Sequence, residues 1–310
     1  MQATCCRGAL WGLLVLALWG PGSAGPLYAQ SGLPVDSSAN SHVDSPPVLP
    51  LAGSYPQFNS RLDGLLSGRG VALGTVGFIV DDGARAVPPE GLDPGEISLA
   101  ADRRSLGQGS LDANRWSDWT RDGALAFPLV VGLLAGEAGG GWAAFGRRAT
   151  VYAEALLVSQ SSTVLAKNPL GRARPYAYPP AGARPSHPDY DVARARTFRS
   201  LPSGHAYAAW TGAAMGTTEH LLRRTRATGI ERFGVGVVAG ALAGATAALR
   251  ITAGEHFPSD VLAGAGLGLF TGTLVPFLHR GAAPNPTARA WLQMTGGLAF
   301  GAFLGALAGG

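Results

Sequence analysis

The sequence contains very little cysteine, lysine or charge. Its two cysteines, Cys5 and Cys6, are adjacent near the N-terminus, which excludes a disulfide framework and a thiolate metal site in the rest of the chain. Charged residues make up only 14% of the 310 residues and hydrophobic residues 46%, whereas about 25% of an average soluble domain is charged. Intrinsically disordered chains have the opposite composition, so that class is excluded. The 46 glycines keep no three-residue period, which excludes collagen.

Because Lys167 is the only lysine, the net charge of +4 comes almost entirely from arginine. The arginines fall in loops, and no basic stripe alternates with aromatic residues, so we do not expect a nucleic-acid partner. Arginine in loops suits small anions and phosphate-bearing lipids. Nothing in the sequence predicts a protein partner.

The first part of the chain has the pattern of a targeting segment. In residues 1–29, one positive charge, Arg7, precedes an apolar run and then small residues, which is the order of a secretory signal peptide. The apolar run is shorter than the roughly 20 residues of a bilayer span, so an uncleaved anchor is the weaker alternative. We therefore predict an exported protein. Residues 30–115 are predicted to be a flexible tether followed by a region without an assignable pattern.

Residues 116–310 have the sequence pattern of a helical domain. Uncharged apolar windows cover residues 123–136, 155–166, 206–218, 233–249, 261–279 and 290–310. We predict an all-α fold, an antiparallel bundle of about six helices. Only the last three windows approach the length of a bilayer span, and their Gly and Ala suit either a membrane or a soluble bundle, so both alternatives stay open. If arginines at residues 147–148 and 223–226 mark a cytoplasmic end, the long loop at the other end faces outside.

Three segments carry candidate functional residues. They are Lys167-x6-Arg174-Pro175, then Pro202-Ser203-Gly204-His205, then Arg250-x5-His256-x3-Asp260. The three cations can neutralise an oxyanion, and the arginine fork matches phosphate geometry.

The other residues of these segments suit phosphoryl chemistry. Ser203 is a good helix N-cap, Gly204 lets the backbone approach a ligand, and a helix N-terminus binds anions. His205 lies where it could act as a general acid. Asp260, four residues after His256, can hold one ring nitrogen and leave the other free to attack. The segments therefore indicate a phosphate cradle, an acid, a nucleophile and an orienting carboxylate.

These three segments resemble the motifs of the type 2 phosphatidic acid phosphatase (PAP2) superfamily, which also includes bacterial acid phosphatases and vanadium haloperoxidases. The one departure is Leu249, where the family usually has serine. The resemblance covers about residues 120–280 and implies a metal-free phosphatase. It implies that His256 forms a phosphohistidine oriented by Asp260, that His205 is the acid and then the base, and that the remaining motif residues bind phosphate: Lys167, Arg174, Ser203, Gly204 and Arg250.

The expected substrate is a phosphomonoester or pyrophosphate of a lipid, such as phosphatidate or a polyprenyl diphosphate, because the helices are apolar. A soluble periplasmic acid phosphatase is the closest alternative. The runner-up from another reaction class is a vanadate-dependent haloperoxidase, in which His256 would be the axial ligand of vanadate. In a phosphatase, vanadate would instead be an inhibitor, and no cofactor is expected.

Overall fold

The computed structural model describes residues 56–79, 92–134, 141–178, 185–281 and 283–310. These residues form eight α-helices and no strand, which confirms the all-α prediction. The predicted signal peptide, and the tether up to residue 55, lie outside the described residues. The helices are α1 (Ser60–Ile79), α2 (Ala100–Arg104), α3 (Leu111–Leu134), α4 (Gly141–Leu170), α5 (Gly204–Arg223), α6 (Gly229–Thr252), α7 (Pro258–Leu278) and α8 (Ala288–Gly309).

Each of the six apolar windows corresponds to one of the helices α3 to α8. The structure adds α1, which lies in the region that the sequence left unassigned. Five glycines within the 20 residues of α1 lower its helix propensity, so local sequence gives a weak signal. Its contacts with α4, such as Ser161 Oγ to Gly70 O at 2.5 Å, show where the helix packs.

Alternate helices in the bundle are parallel, and two of these pairs pack backbone against backbone. In α6 and α8, a Cβ atom on Gly240 would lie 2.1 Å from Leu298 O, and one on Gly301 would lie 2.1 Å from Val237 O. Any larger residue would force the helices apart. The same contact recurs along both helices, at Gly236, Gly244, Gly297 and Gly305.

The second parallel pair, α5 and α7, positions the motif residues. Cβ atoms on Gly264 and Gly268 would lie 2.4 and 2.5 Å from the carbonyl oxygens of Ser203 and Tyr207. Ser203 N also donates a hydrogen bond to Asp260 O, 3.0 Å away. The first turns of α5 and α7 are therefore held side by side.

Three helices among the described residues, α6, α7 and α8, are long and apolar enough to cross a membrane. Large apolar side chains lie on their outer surfaces: Ile230 is 87% exposed, Leu262 72% and Leu292 73%. This agrees with the prediction that the last three windows approach the length of a bilayer span. The fold is thus compatible with membrane association.

Candidate active site

The three motif segments meet at one end of the bundle, which we call the site end. Because alternate helices are parallel, the last turns of α4 and α6 and the first turns of α5 and α7 share this end. The predicted residues that the structure brings to this end are Lys167, Arg174, Ser203, Gly204, His205, Arg250, His256 and Asp260.

The N-terminus of α5 faces the lysine ammonium group. Ser203 is the N-cap, and its Oγ accepts a hydrogen bond from Ala206 N at 3.4 Å. A Cβ atom on Gly204 would lie 3.6 Å from Lys167 Nζ. The absence of a side chain on Gly204 therefore leaves backbone N–H groups and an ammonium close together, an arrangement that suits an anion.

A buried carboxylate holds the two motif arginines. Glu255, 1% exposed, forms an ion pair with Arg174 and lies 3.2 Å from Arg250 Nη2 through Oε2. Its other oxygen, Oε1, lies 2.7 Å from Arg196 Nη2. The turn that carries Glu255 requires Gly254, whose φ of 68° lies in the left-handed region. Glu255 thus fixes the guanidinium groups before any ligand binds.

The site nevertheless keeps an excess of positive charge, as the pKa of its lysine indicates. Burial, together with the charges of Arg174 and Arg250, lowers the pKa of Lys167 to about 7. A lysine whose pKa is depressed by neighbouring cations gains from an anion that restores its charge. We call Lys167, Arg174 and Arg250 the phosphate cradle.

One ring nitrogen of His205 contacts both a hydrogen-bond donor and a hydrogen-bond acceptor. Its Nε2 lies 2.8 Å from Asp118 Oδ1 and 2.7 Å from Arg121 Nη1. A neutral Nε2 accepts from the arginine, whereas a protonated Nε2 donates to the carboxylate. Burial and the charge of Arg250 lower the pKa of His205 to about 3, although Asp118 opposes the shift. The surroundings therefore accommodate both protonation states, as an acid–base residue requires.

His256 is buried and has no hydrogen bond at Nδ1. Burial and the positive charges of the phosphate cradle lower its pKa, which keeps the ring neutral at neutral pH. Nδ1 lies 3.8 Å from Asp260 Oδ2, longer than a hydrogen bond. In this structure that oxygen accepts instead from Ser200 Oγ at 2.5 Å and from Phe257 N at 2.9 Å. The role of Asp260 in orienting His256 therefore remains a prediction.

Residues 148–282 match the family model of the PAP2 superfamily. This match confirms the resemblance to the PAP2 superfamily that the three motif segments predicted. The matched stretch begins in α4 and ends just after α7, so it contains all three motif segments. No curated protein and no solved structure matches the chain. The similarity to PAP2 supports a phosphatase-type activity in general.

Part of the PAP2 site comes from residues that precede the matched stretch. Asn114 Oδ1 accepts a hydrogen bond from Arg250, and Ser117 Oγ lies 3.2 Å from the same guanidinium group. Both residues belong to α3, which also supplies Asp118. The helix that precedes the PAP2 match therefore orients one cation of the cradle and His205, the candidate acid–base residue.

A second arginine, Arg172, connects Asp260 to another buried carboxylate. Its Nη1 lies 2.5 Å from Asp260 Oδ1, and its Nη2 lies 2.7 Å from Asp102 Oδ2. Asp102, 1% exposed, also accepts hydrogen bonds from Ser259 N and Ser259 Oγ. A cavity of about 580 Å³ lies beside this network and is lined by Glu96, Ile97, Ser98, Leu99, Asp102, Arg172, Tyr178, Leu201 and Ser259.

The motif patterns did not identify these supporting residues. Arg172 and Glu255 are variable positions within the motif spacing, close to Arg174 and His256. Their charges next to motif residues were the one local signal that could have identified them. Asp102 and Asp118 have no motif of their own, and only the packing of their helices against the site reveals them.

Among the described residues, one group could hold a metal ion, and it lies away from the PAP2 site. It comprises Asp63, Glu154 and His279. His279 Nε2 is 2.9 Å from Asp63 Oδ1 and 3.2 Å from Glu154 Oε2. Although burial opposes the shift, contacts with Glu154, Val275 O and Asp63 raise the pKa of His279 to about 9. A protonated imidazole shares its one Nε2–H between the two carboxylates, so the group forms an ion cluster that joins α1 to α4 and α7.

Proposed function

We propose that this protein is a metal-independent phosphatase that hydrolyses a phosphomonoester or pyrophosphate of a lipid through a phosphohistidine intermediate. The observation that carries the proposal is the buried, neutral His256 beside the phosphate cradle. A neutral imidazole has the lone pair that nucleophilic attack requires, and the cations stabilise the charge of the phosphoryl oxygens.

The first chemical step forms the phosphohistidine. His256 Nε2 attacks phosphorus, and the bond between phosphorus and the leaving oxygen breaks. His205 gives its Nε2 proton to that oxygen, while Asp118 and Arg121 hold the ring. In the second step, His205 takes a proton from water, which attacks phosphorus, and the bond to His256 breaks to release phosphate.

A lipid substrate is supported by the position of the site relative to the apolar helices. Arg250 lies in the last turn of α6, and Asp260 lies in the first turn of α7, two of the three helices apolar enough to cross a membrane. A phosphate bound at this level would lie where lipid headgroups are found. We further propose that the protein is exported and that its site faces the outside of the membrane.

Phosphate release by the purified protein tests this proposal. The substrates are phosphatidate, undecaprenyl diphosphate and p-nitrophenyl phosphate, each with EDTA present, and the matched control is His256→Ala. We expect release that persists in EDTA, is inhibited by vanadate and is abolished in the variant.

Three results would change the proposal. Release that stops in EDTA would overturn the metal-independent mechanism. Release from p-nitrophenyl phosphate alone would indicate a soluble-substrate acid phosphatase. No release, together with bromide oxidation in the presence of vanadate and peroxide, would indicate a haloperoxidase.

A further inference from the structure

We propose that Trp116 and Trp119 anchor the site end of the bundle in the headgroup layer of a lipid bilayer. The proposal deepens the proposed function and rests on its lipid substrate. It assigns a membrane-docking surface to α3, which precedes the stretch that matches the PAP2 family.

The two tryptophans form one exposed aromatic surface. Trp116 is 62% exposed and Trp119 is 72% exposed. Residues three apart on a helix lie on the same face. Large aromatic side chains are seldom left this exposed, and the indole ring, apolar with one N–H donor, suits the boundary between water and hydrocarbon.

The outer face of α3 changes character along its length. Its first turns carry Asp112 and Arg115, whose side chains are 85% and 75% exposed. The two tryptophans follow, and further along the same face come Val130, 46% exposed, and Leu133, 65% exposed. Such an order, charged, then aromatic, then apolar, is expected of a helix that enters a bilayer.

One charged residue interrupts this order on the apolar side of the tryptophans. Asp122 lies on the exposed face, but its Oδ1 is 2.8 Å from Arg121 Nη2. Arg121 Nη1 also lies 2.9 Å from Asp118 Oδ1, so its single positive charge offsets the Asp122 carboxylate only in part. The transition from polar to apolar therefore falls just beyond Asp122, about one turn after Trp119.

Contacts with α6 show that the tryptophans lie near the end of an apolar helix. Ser117 Oγ contacts Arg250, and Thr120 Oγ1 contacts Thr246 Oγ1 at 2.9 Å. At 1.5 Å per residue, Arg250 and Thr246 lie roughly 3 and 9 Å from the end of α6 at Thr252. A helix of 24 residues is about 36 Å long, roughly 6 Å more than the hydrocarbon core, so the turn that carries Arg250 can extend into the headgroup layer.

The residues of the proposed reaction lie at the same depth as the two tryptophans. Asp118, between the two tryptophans in sequence, lies 2.8 Å from His205 Nε2. An anchor at Trp116 and Trp119 would therefore hold the acid–base histidine and the phosphate cradle at the depth of lipid phosphate groups.

The test compares two substrates in the full-length protein. The double variant Trp116→Ala/Trp119→Ala is set against Arg115→Ala, which changes another exposed side chain of the same turn. With phosphatidate in vesicles, we expect kcat/KM of the double variant to fall about tenfold, because two amphipathic anchors are lost. With p-nitrophenyl phosphate in detergent we expect no change, and Arg115→Ala should change neither rate. An equal loss on both substrates, or no loss on either, would overturn the anchor.

A fluorescence measurement tests the anchor independently of turnover. The protein is reconstituted in bilayers whose lipids carry bromine either near the headgroup or near the chain end. We expect the fluorescence that is lost in the double variant to be quenched more by the shallow bromines. If neither lipid quenches it, the surface is covered by something other than lipid, such as a second copy of the chain, and the proposal fails. If the wild type hydrolyses neither substrate, the proposed function fails, while quenching still decides the anchor.

Discussion

Two buried histidines at opposite ends of the bundle have surroundings of opposite charge. His256 and His279 are 1% and 0% exposed, and each lies near carboxylates. Around His279 two carboxylates face one imidazole, and its pKa rises to about 9. Around His256, burial and the three cations of the phosphate cradle lower the pKa.

The difference separates a structural cluster from a functional one. The His279 cluster contains its own cation, since the protonated imidazole lies between the two carboxylates. The site of His256 is incomplete, because burial and the neighbouring cations lower the pKa of Lys167 and of both motif histidines, and an incoming anion would offset that positive charge. Burial alone would not have distinguished them.

The largest effect is expected on turnover, from a substitution in the candidate functional cluster. We expect His205→Gln to lower kcat on phosphatidate by about a hundredfold to ten-thousandfold, because the leaving oxygen loses its proton donor. The loss should be smaller with p-nitrophenyl phosphate, whose leaving group needs less protonation. Steady-state kinetics on both substrates measures this, with the thermal midpoint as the check on folding. Equal losses on the two substrates would argue against His205 as the acid.

A smaller effect, on stability alone, is expected from a substitution in the structural cluster. We expect His279→Gln to lower the free energy of unfolding by about 2 kcal/mol, because Asp63 and Glu154 lose their cation. Turnover per folded molecule should not change.

The same variant should also alter the pH dependence of stability. The pKa of His279 rises from 6.5 to about 9 on folding, so its contribution is full below pH 6.5 and is lost as pH rises through about 9. Denaturant unfolding at a series of pH values should show this decline in the wild type. Its persistence in the variant would contradict the assignment to His279.

The smallest effect is expected from a change in the charge around His205, which tests how neighbouring charges set the pKa of a buried histidine. Asp118 raises the pKa of His205 against the cations, so we expect Asp118→Asn to lower it further. A pKa lower by one unit reduces the protonated fraction at neutral pH, and with it kcat/KM, about tenfold. Because the pKa of His205 is about 3 in the empty site, kcat/KM should rise as pH falls, and the variant's profile should shift toward acid. A profile that does not move would show that Asp118 has no part in the protonation of His205.

Much of the site could be predicted from the sequence because its residues occur in short segments with fixed internal spacing. Each segment lies where a helix begins or ends, so the spacing within it limits the geometry. The segments are Lys167 to Arg174, Ser203 to His205, and Arg250 to Asp260. The helices α3 to α8 could be predicted for a similar reason, since uncharged windows are local. The helix α3 begins at Leu111, five residues before residue 116, where the predicted phosphatase domain starts, and the domain boundary stays a prediction.

Other features could not be predicted, because they depend on distant segments. Asp102 lies 70 positions before Arg172, and Asp118 lies 87 positions before His205. The helix α1 has a weak local signal, and its place follows from contacts with Ser161 and Glu154 on α4. Contacts between distant positions are set by packing, which no local pattern encodes.

The amino-acid sequence by itself determined which residues are candidates for the chemistry, because motif spacing constrains the residues within one segment. Only the tertiary structure decided the charge balance around each group. The glycines of α7 bring the first turn of α5 against Asp260, and the ends of α4 and α6 then add Lys167 and Arg250. Whether a buried histidine is structural or functional depends on the sum of charges around it, and that sum exists only once the helices have packed.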